Sequence, residues 1–227
     1  MYRFIPRIPA KLIGACLLGI YLSACSFTSQ KPNTGIDNWQ QHVANLSKLD
    51  QWQLEGKLGY RDSNDGGSAW LNWHQNREDF NVTLNGPFGT GTTRITGTQQ
   101  HAQLQRAGHD PITASSPAAL TEQLFGWQWP VEQLQFWARG IPAPNTPQQT
   151  VNHNLDGTLA VLEQSNWTLK FSNYQTITHD QKNINDPKTT QGSSANDWIL
   201  PGKIKGQKGE YHFTLIIKSW QPKKSAQ

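Results

Sequence analysis

Trp52-Gln53-Leu54-Glu55-Gly56-Lys57-Leu58-Gly59-Tyr60 places Trp, Leu, Gly, Leu and Tyr on one parity and Gln, Glu, Lys and Gly on the other. Successive side chains of a strand point to opposite faces, so this period of two predicts a half-buried β-strand with one inner face. The pattern repeats downstream. Asn64-Asp65-Gly66-Gly67 is a turn signal. Ala69, Leu71 and Trp73 then alternate with Trp70, Asn72 and His74, and after Asn76-Arg77-Glu78-Asp79 a third inner face holds Phe80, Val82 and Leu84. Asn85-Gly86-Pro87-Phe88-Gly89 breaks that strand, and Thr92 to Gly97 and Ala102 to Arg106 give two more. Short connections make residues 52–106 an antiparallel meander, which tends to curl into a sheet closed or nearly closed on itself.

Upstream of the first strand, Asp37 can cap a short helix with Trp39, Val43 and Leu46 on one face and Leu49 continuing it. Downstream of the meander the period changes. Ser115-Ser116-Pro117 starts a helix with Leu120 and Leu124 one turn apart, and Gly126 fits its end. Pro130 starts a second helix with Val131, Leu134 and Trp137, which Gly140 ends; Pro142, Pro144 and Pro147 mark a loop. Strands resume with Leu159 and Val161, a turn at Gln164-Ser165-Asn166, and Trp167, Leu169 and Phe171. Residues 173–196 read as a long polar loop. A last hairpin runs from Trp198 to Lys205, turns at Gly206-Gln207-Lys208-Gly209, and returns through Tyr211, Phe213, Leu215 and Ile217 to Trp220. The fold class is mainly β with helices, in a single domain over 38–220, followed by a polar tail, 221–227.

The N-terminus is an address. Arg3, Arg7 and Lys11 precede an apolar run from Leu12 to Leu22, the charged and hydrophobic regions of a signal peptide. Eleven helical residues span about 16 Å, half of a ~30 Å hydrocarbon core, so a permanent transmembrane helix is the poorer reading. Leu22-Ser23-Ala24-Cys25 resembles the lipobox of bacterial lipoproteins. That resemblance implies removal of residues 1–24 and acylation of Cys25 as a lipid anchor. Ser26 follows the cysteine; in such lipoproteins an aspartate there signals retention in the inner membrane, so its absence implies export to the outer membrane. Residues 25–37 then form the acylated N-terminus and a flexible, mostly polar tether.

Composition narrows the function classes. Ten Trp among 227 residues argue against disorder. The formal charge of +4 would invite a nucleic-acid reading. However, three of the 20 basic residues fall within 1–24 and none of the 16 acidic ones do, leaving 17 against 16. Seven histidines are scattered without H-x-x-x-H spacing, and neither a metal site nor a cofactor is expected. There is no G-x-S-x-G elbow. Gly86 to Gly91 lacks the spacing of a phosphate cradle and precedes a strand rather than a helix. No catalytic residue is predicted.

The ordered set of Trp52–Gly59, the Ala69–Trp73 strand, the Asn85–Gly89 loop, the helix pair from Ser116 to Gly140 and the closing Leu200–Trp220 hairpin resembles the LolB family over residues 38–220. The resemblance implies an unclosed antiparallel β-barrel with an α-helical lid over a hydrophobic cavity. It further implies a receptor, lipid-anchored in the outer membrane and facing the periplasm. Such a receptor accepts lipoproteins from the periplasmic carrier LolA by binding their acyl chains, and inserts them into the inner leaflet of the outer membrane. A monomer is expected. The cavity would be lined by Trp52, Leu54, Leu58, Leu71, Trp73, Val82, Leu84, Trp167, Phe171, Phe213 and Leu215, and the lid would supply Leu120, Leu124, Leu134 and Trp137. In the family an exposed apolar tip, usually Leu, serves membrane insertion; here Pro87, Phe88 and Gly89 hold that place. Two other readings stay open on the residues alone: a non-catalytic envelope module recognising glycan or assembly factors through Trp platforms, and a hydrolase whose acid pair leaves no sequence signature.

The lipobox has a direct test. Cells fed radiolabelled fatty acid will incorporate label into the wild-type chain and not into Cys25→Ser; label in both variants would remove the anchor.

Overall fold

The computed structural model describes residues 35–86, 91–125, 128–178 and 197–223. Helix α1 (Gly35–Leu46) leads into β1 (Gln51–Arg61), β2 (Gly66–Asn76), β3 (Asp79–Asn85), β4 (Thr92–Gly97), β5 (Ala102–Arg106) and β6 (Ile112–Ala114). Helices α2 (Pro117–Phe125) and α3 (Val131–Ala138) follow. The chain returns as β7 (Gln148–His153), β8 (Leu159–Gln164), β9 (Trp167–Ser172), β10 (Gln175–Ile177), β11 (Trp198–Leu200), β12 (Lys203–Lys208) and β13 (Tyr211–Pro222). Eleven strands form one sheet in the order β6-β5-β4-β3-β2-β1-β13-β12-β9-β8-β7, every neighbouring pair antiparallel. The chain thus enters at the sheet's centre and walks outward to β6. It crosses by α2 and α3 to the far edge at β7, then walks back until β13 pairs with β1. The sheet is an unclosed antiparallel β-barrel whose edges, β6 and β7, are the two strands that flank the helices.

Alternation puts Trp52 and Leu54 of β1, Leu169 and Phe171 of β9, Ile204 of β12, and Phe213, Leu215 and Ile217 of β13 on the inner face, all nearly inaccessible to water. Glu55 pairs with Ser219 and Gly56 with Ile217, so Lys218 is an extra residue. This β-bulge switches parity and lets Trp220 point inward three residues after Ile217. In β12, Gly206 faces Phe213 across the ladder, and a Cβ there would occupy the space of the Phe213 ring. Gly206 is therefore a strand residue and not the turn the sequence suggests. Pairing continues to Lys208 opposite Tyr211, and the turn is Gly209-Glu210, with Gly209 at φ +57°.

Three further expectations change. The segment Trp198–Lys205 is not one strand: Pro201 and Gly202 interrupt it, and β11 pairs with β10 in a separate two-stranded ribbon. Proline cannot donate to a ladder, so a strand ends there. The loop read over 173–196 contains β10; residues 179–196 lie outside the described ones. Strands β6 and β7 appear where the sequence reading placed no element, because a three-residue edge strand and the polar run Gln148–His153 carry no clear alternation.

The helices are fixed by polar contacts. Ser116 caps α2, its Oγ accepting from the Ala119 N–H at 3.1 Å. Gly140, at φ +78°, closes α3: its N–H donates to Trp137 O at 2.9 Å and that of Ile141 to Phe136 O at 3.2 Å. The end of α3 is held on the filled side of the barrel by Gln164, which is 1% exposed. Gln164 Oε1 accepts from Trp137 Nε1 at 2.8 Å and from Ala143 N at 2.9 Å. Its Nε2 donates to Ala143 O and Thr146 O, both at 2.9 Å. Arg139, also buried, donates through Nη1 to Leu46 O at 2.9 Å and Leu49 O at 2.6 Å, at the C-terminal end of α1. A cation suits that end of a helix. Burial pulls the guanidinium down to about 10, partly opposed by the charge of Asp50, so it stays protonated at neutral pH.

Replacing Gln164 with Leu leaves two buried N–H donors without an acceptor, at roughly 1–3 kcal/mol each. Gln164→Leu will lose about 3 kcal/mol in equilibrium denaturation; a loss under about 1 kcal/mol would show that α3 is held by something else.

Candidate functional site: a cavity under the helices

The two halves of the inner face differ. On β8 and β9, Leu162 and Leu169 are fully buried. On β3, Phe80, Val82 and Leu84 point inward by register yet are only half-buried. What they face is a cavity of about 630 Å³, within the range of small-molecule sites, about 300–1,000 Å³.

Its wall is a set of cross-strand rows. Trp73, Val82, Ile95 and Leu104 are successive partners from β2 to β5, and Leu71 and Leu84 pair in the neighbouring row. Leu58 of β1 and Phe213 and Leu215 of β13 close the side toward the filled half. The roof is Leu120 and Leu124 of α2, Leu134 of α3 and Trp129 between them. Trp129 is half-buried, with its ring 6.4 Å from Phe213 and 6.2 Å from Tyr60. The indole N–H of Trp73, in the wall, is satisfied internally. Trp73 Nε1 donates to Gln75 Oε1 at 2.9 Å, and Gln75 Nε2 donates to Arg77 O at 2.8 Å. Trp73 therefore presents an apolar ring. Polar groups gather at the rim: the β1–β2 turn is tied by Asp62 Oδ1, which accepts from the N–H groups of Asn64 and Asp65 at 2.8 Å. These bonds hold the Asp62 carboxyl below its ordinary value. Burial, then the charge of Asp65, pushes the Tyr60 phenol up, so it stays a neutral hydroxyl on the rim.

Of the residues expected in the cavity, Leu58, Leu71, Trp73, Val82, Leu84, Phe213 and Leu215 line it, as do Leu120, Leu124 and Leu134 of the roof. Trp52, Leu54, Trp167 and Phe171 do not; they belong to the solid core beside it. Trp52 packs against Trp73 and Trp220 at 5.0 and 5.3 Å between ring centroids, and Trp167 against Phe213 at 5.4 Å. Trp137 is likewise a core residue, held by Gln164 rather than hanging over the cavity. Strand alternation and helical spacing identify the inward side but not whether a given patch meets protein or space, which is why these five were misplaced. Phe80, Ile95, Leu104 and Trp129 were missed as lining residues. Phe80 was legible on the inner parity of its strand, whereas the short strands β4 and β5 gave weaker alternation. Cys25, Pro87, Phe88 and Gly89 lie outside the described residues. The base of the β3–β4 loop is described: Thr92 Oγ1 donates to Asn85 Oδ1 at 2.7 Å where β3 passes to β4.

An open barrel with an apolar, helix-roofed cavity fits the resemblance read from the sequence, and comparison with known proteins decides it. The family model described as outer membrane lipoprotein LolB matches residues 50–220. The chain belongs to the LolB family. It is 33% identical over 208 residues to the outer-membrane lipoprotein LolB of Cellvibrio japonicus, covering 91% of this chain and 96% of that one. It is also 33% identical over 214 residues to the LolB of Pseudomonas paraeruginosa, covering 93% and 95%. Among solved structures, the LolA superfamily protein NE2245 from Nitrosomonas europaea aligns with a TM-score of 0.47 at 8% identity, over 84% of this chain and 94% of that one.

If the cavity is the binding site of this LolB-family chain, filling it will block ligand without unfolding the barrel. Val82→Trp will weaken binding of a fluorescent fatty acid by at least about tenfold, equivalent to 1.4 kcal/mol, at unchanged far-ultraviolet circular dichroism. Unchanged affinity in a folded variant would move the site elsewhere.

Proposed function

We propose that this chain is an outer-membrane lipoprotein receptor. It takes acylated lipoproteins from the soluble carrier LolA, holds their acyl chains in the cavity under α2 and α3, and releases them into the inner leaflet of the outer membrane. Cys25 keeps it there as an acylated monomer facing the periplasm. The observation that carries the reading is the apolar cavity of about 630 Å³ beneath two short helices in a chain of this family.

The physical need is clear. Exposing one C16 chain to water costs on the order of 10 kcal/mol, at about 0.8 per CH₂. Cargo must therefore pass from pocket to pocket and then to lipid without meeting solvent. No nucleotide is required if each acceptor binds the chain more tightly than the last. Opening falls to α2. Its buried residues among those described are Pro117 and Leu120, the latter in a small cluster with Ala102 and Leu104, while the end of α3 stays fastened to Gln164. Pro87, Phe88 and Gly89 form the apolar tip that enters the bilayer; an aromatic residue suits that interface. The glycan-platform reading gains little, because Trp70 is the one strongly exposed Trp among the described residues and a platform needs several coplanar rings.

A transfer assay tests both steps. Radiolabelled lipoprotein loaded on LolA is mixed with this protein and then with liposomes. Wild type will accept and deliver the label, and Phe88→Glu will accept it but deliver several-fold less. A wild type that takes no label sinks the receptor reading; a mutant that delivers normally removes only the tip.

A further inference from the structure

The outer face of the sheet's central strands has a composition its fold does not require. Across β1, β13, β12 and β9 the outward positions include Lys57, Lys203, Lys205 and Lys170, and Lys218 stands out at the bulge. Glu55 is the one acidic residue in these four strands, and it is engaged by the side-chain amides of Asn72, at 3.2 Å, and Gln53, at 3.4 Å. The mature chain is nearly neutral, so this is a local excess of charge and not a general one. Two large apolar side chains lie on the same face. Trp70 is 49% exposed and Ile216 is 42% exposed. They flank Lys57 in a single row, Trp70 to Lys57 to Ile216 to Lys203. The Lys218 ammonium stands 4.2 Å from the centre of the Trp70 ring.

We infer that this face is a second membrane contact, which lays the central strands of the barrel against anionic lipid headgroups. Three observations favour lipid over an acidic protein. The face is the outside of the curled sheet and not a groove, so it offers charge and apolar surface but no shape for a particular partner. Lysines with an interleaved Trp and Ile match the headgroup boundary, where ammonium groups meet phosphates while stems and rings enter the apolar edge. The face is also continuous with the base of the membrane tip: Trp70 pairs with Asn85, the last residue of β3. This last step rests on the receptor reading, in which the following loop enters the bilayer. Two contacts, a tip and a charged face, fix the orientation of the barrel on the membrane. One tip would leave it free to rotate about a flexible tether.

Amine labelling of the acylated full-length protein tests this, read residue by residue by mass spectrometry. The protein is reconstituted into vesicles of phosphatidylethanolamine, with or without phosphatidylglycerol. Lys57, Lys203, Lys205 and Lys218 will label several-fold more slowly when phosphatidylglycerol is present. Lys48, in the turn after α1, will not change. High salt will restore labelling, since screening weakens surface attraction. Equal labelling in the two vesicle types overturns the inference. So does protection that arises only when LolA is added to neutral vesicles, which would make the face a protein-docking surface. The double variant Lys203→Glu, Lys205→Glu will lose the dependence on phosphatidylglycerol yet still accept cargo from LolA, because neither residue lines the cavity. Failure of cargo acceptance by wild type would count against the receptor reading; failure of lysine protection counts against this one alone.

Discussion

The inner face of this sheet is larger than its helices can cover, and most of the architecture follows from that mismatch. Eleven strands at about 4.8 Å spacing make a sheet on the order of 50 Å across. Helices α2 and α3 have nine and eight residues, so each is only about 12–14 Å long. A sheet so wide must curl, and two short helices within the curl can fill one side or the other but not both. Gln164 settles which side. Its amide satisfies four polar groups on the segment from Trp137 to Thr146, so the end of α3 is fastened over β8 and β9. The side chains beneath become solid core. The inner face of β2 to β5 is left with a roof but no filling.

The same asymmetry gives the lid its mechanics. One end of the helix pair is tied by Gln164 and by Arg139, whose buried guanidinium also holds the end of α1. The other end rests on the small cluster of Leu120 with Ala102 and Leu104. Segments with few buried contacts open at lower cost than those in the main core. A ligand that brings its own apolar surface replaces the contacts α2 gives up, so acceptance can proceed without dismantling the barrel. Trp73 shows how the wall is prepared for this: its indole N–H is satisfied by Gln75, so no polar group is stranded when hydrocarbon covers the ring.

The outer face adds direction. Charge and exposed apolar surface are gathered on the central strands, next to the end of β3. On the proposed reading, a barrel held by its lysines and its tip presents one fixed orientation to the bilayer, and delivery of an acyl chain needs the shortest dry path from cavity to lipid.

By itself the sequence determined the strands of the meander and the two central helices. Each is written in local periodicity or in turn and capping chemistry, as with Trp52 to Tyr60, Ser116-Pro117 and Gly140. The inner parity of Leu71, Val82 and Leu84 was legible for the same reason. Only the tertiary structure decided which inner residues meet a cavity. Trp52, Leu54, Trp167, Phe171 and Trp137 are as apolar and as inward-facing as the true lining, and differ only in what lies opposite them. That is a long-range fact, set by Gln164 receiving Trp137 from 27 residues away. The edge strands β6 and β7 were hidden for a related reason. Their pairing is imposed by neighbouring strands, and a short or polar edge carries too little hydrophobic pattern of its own to announce it.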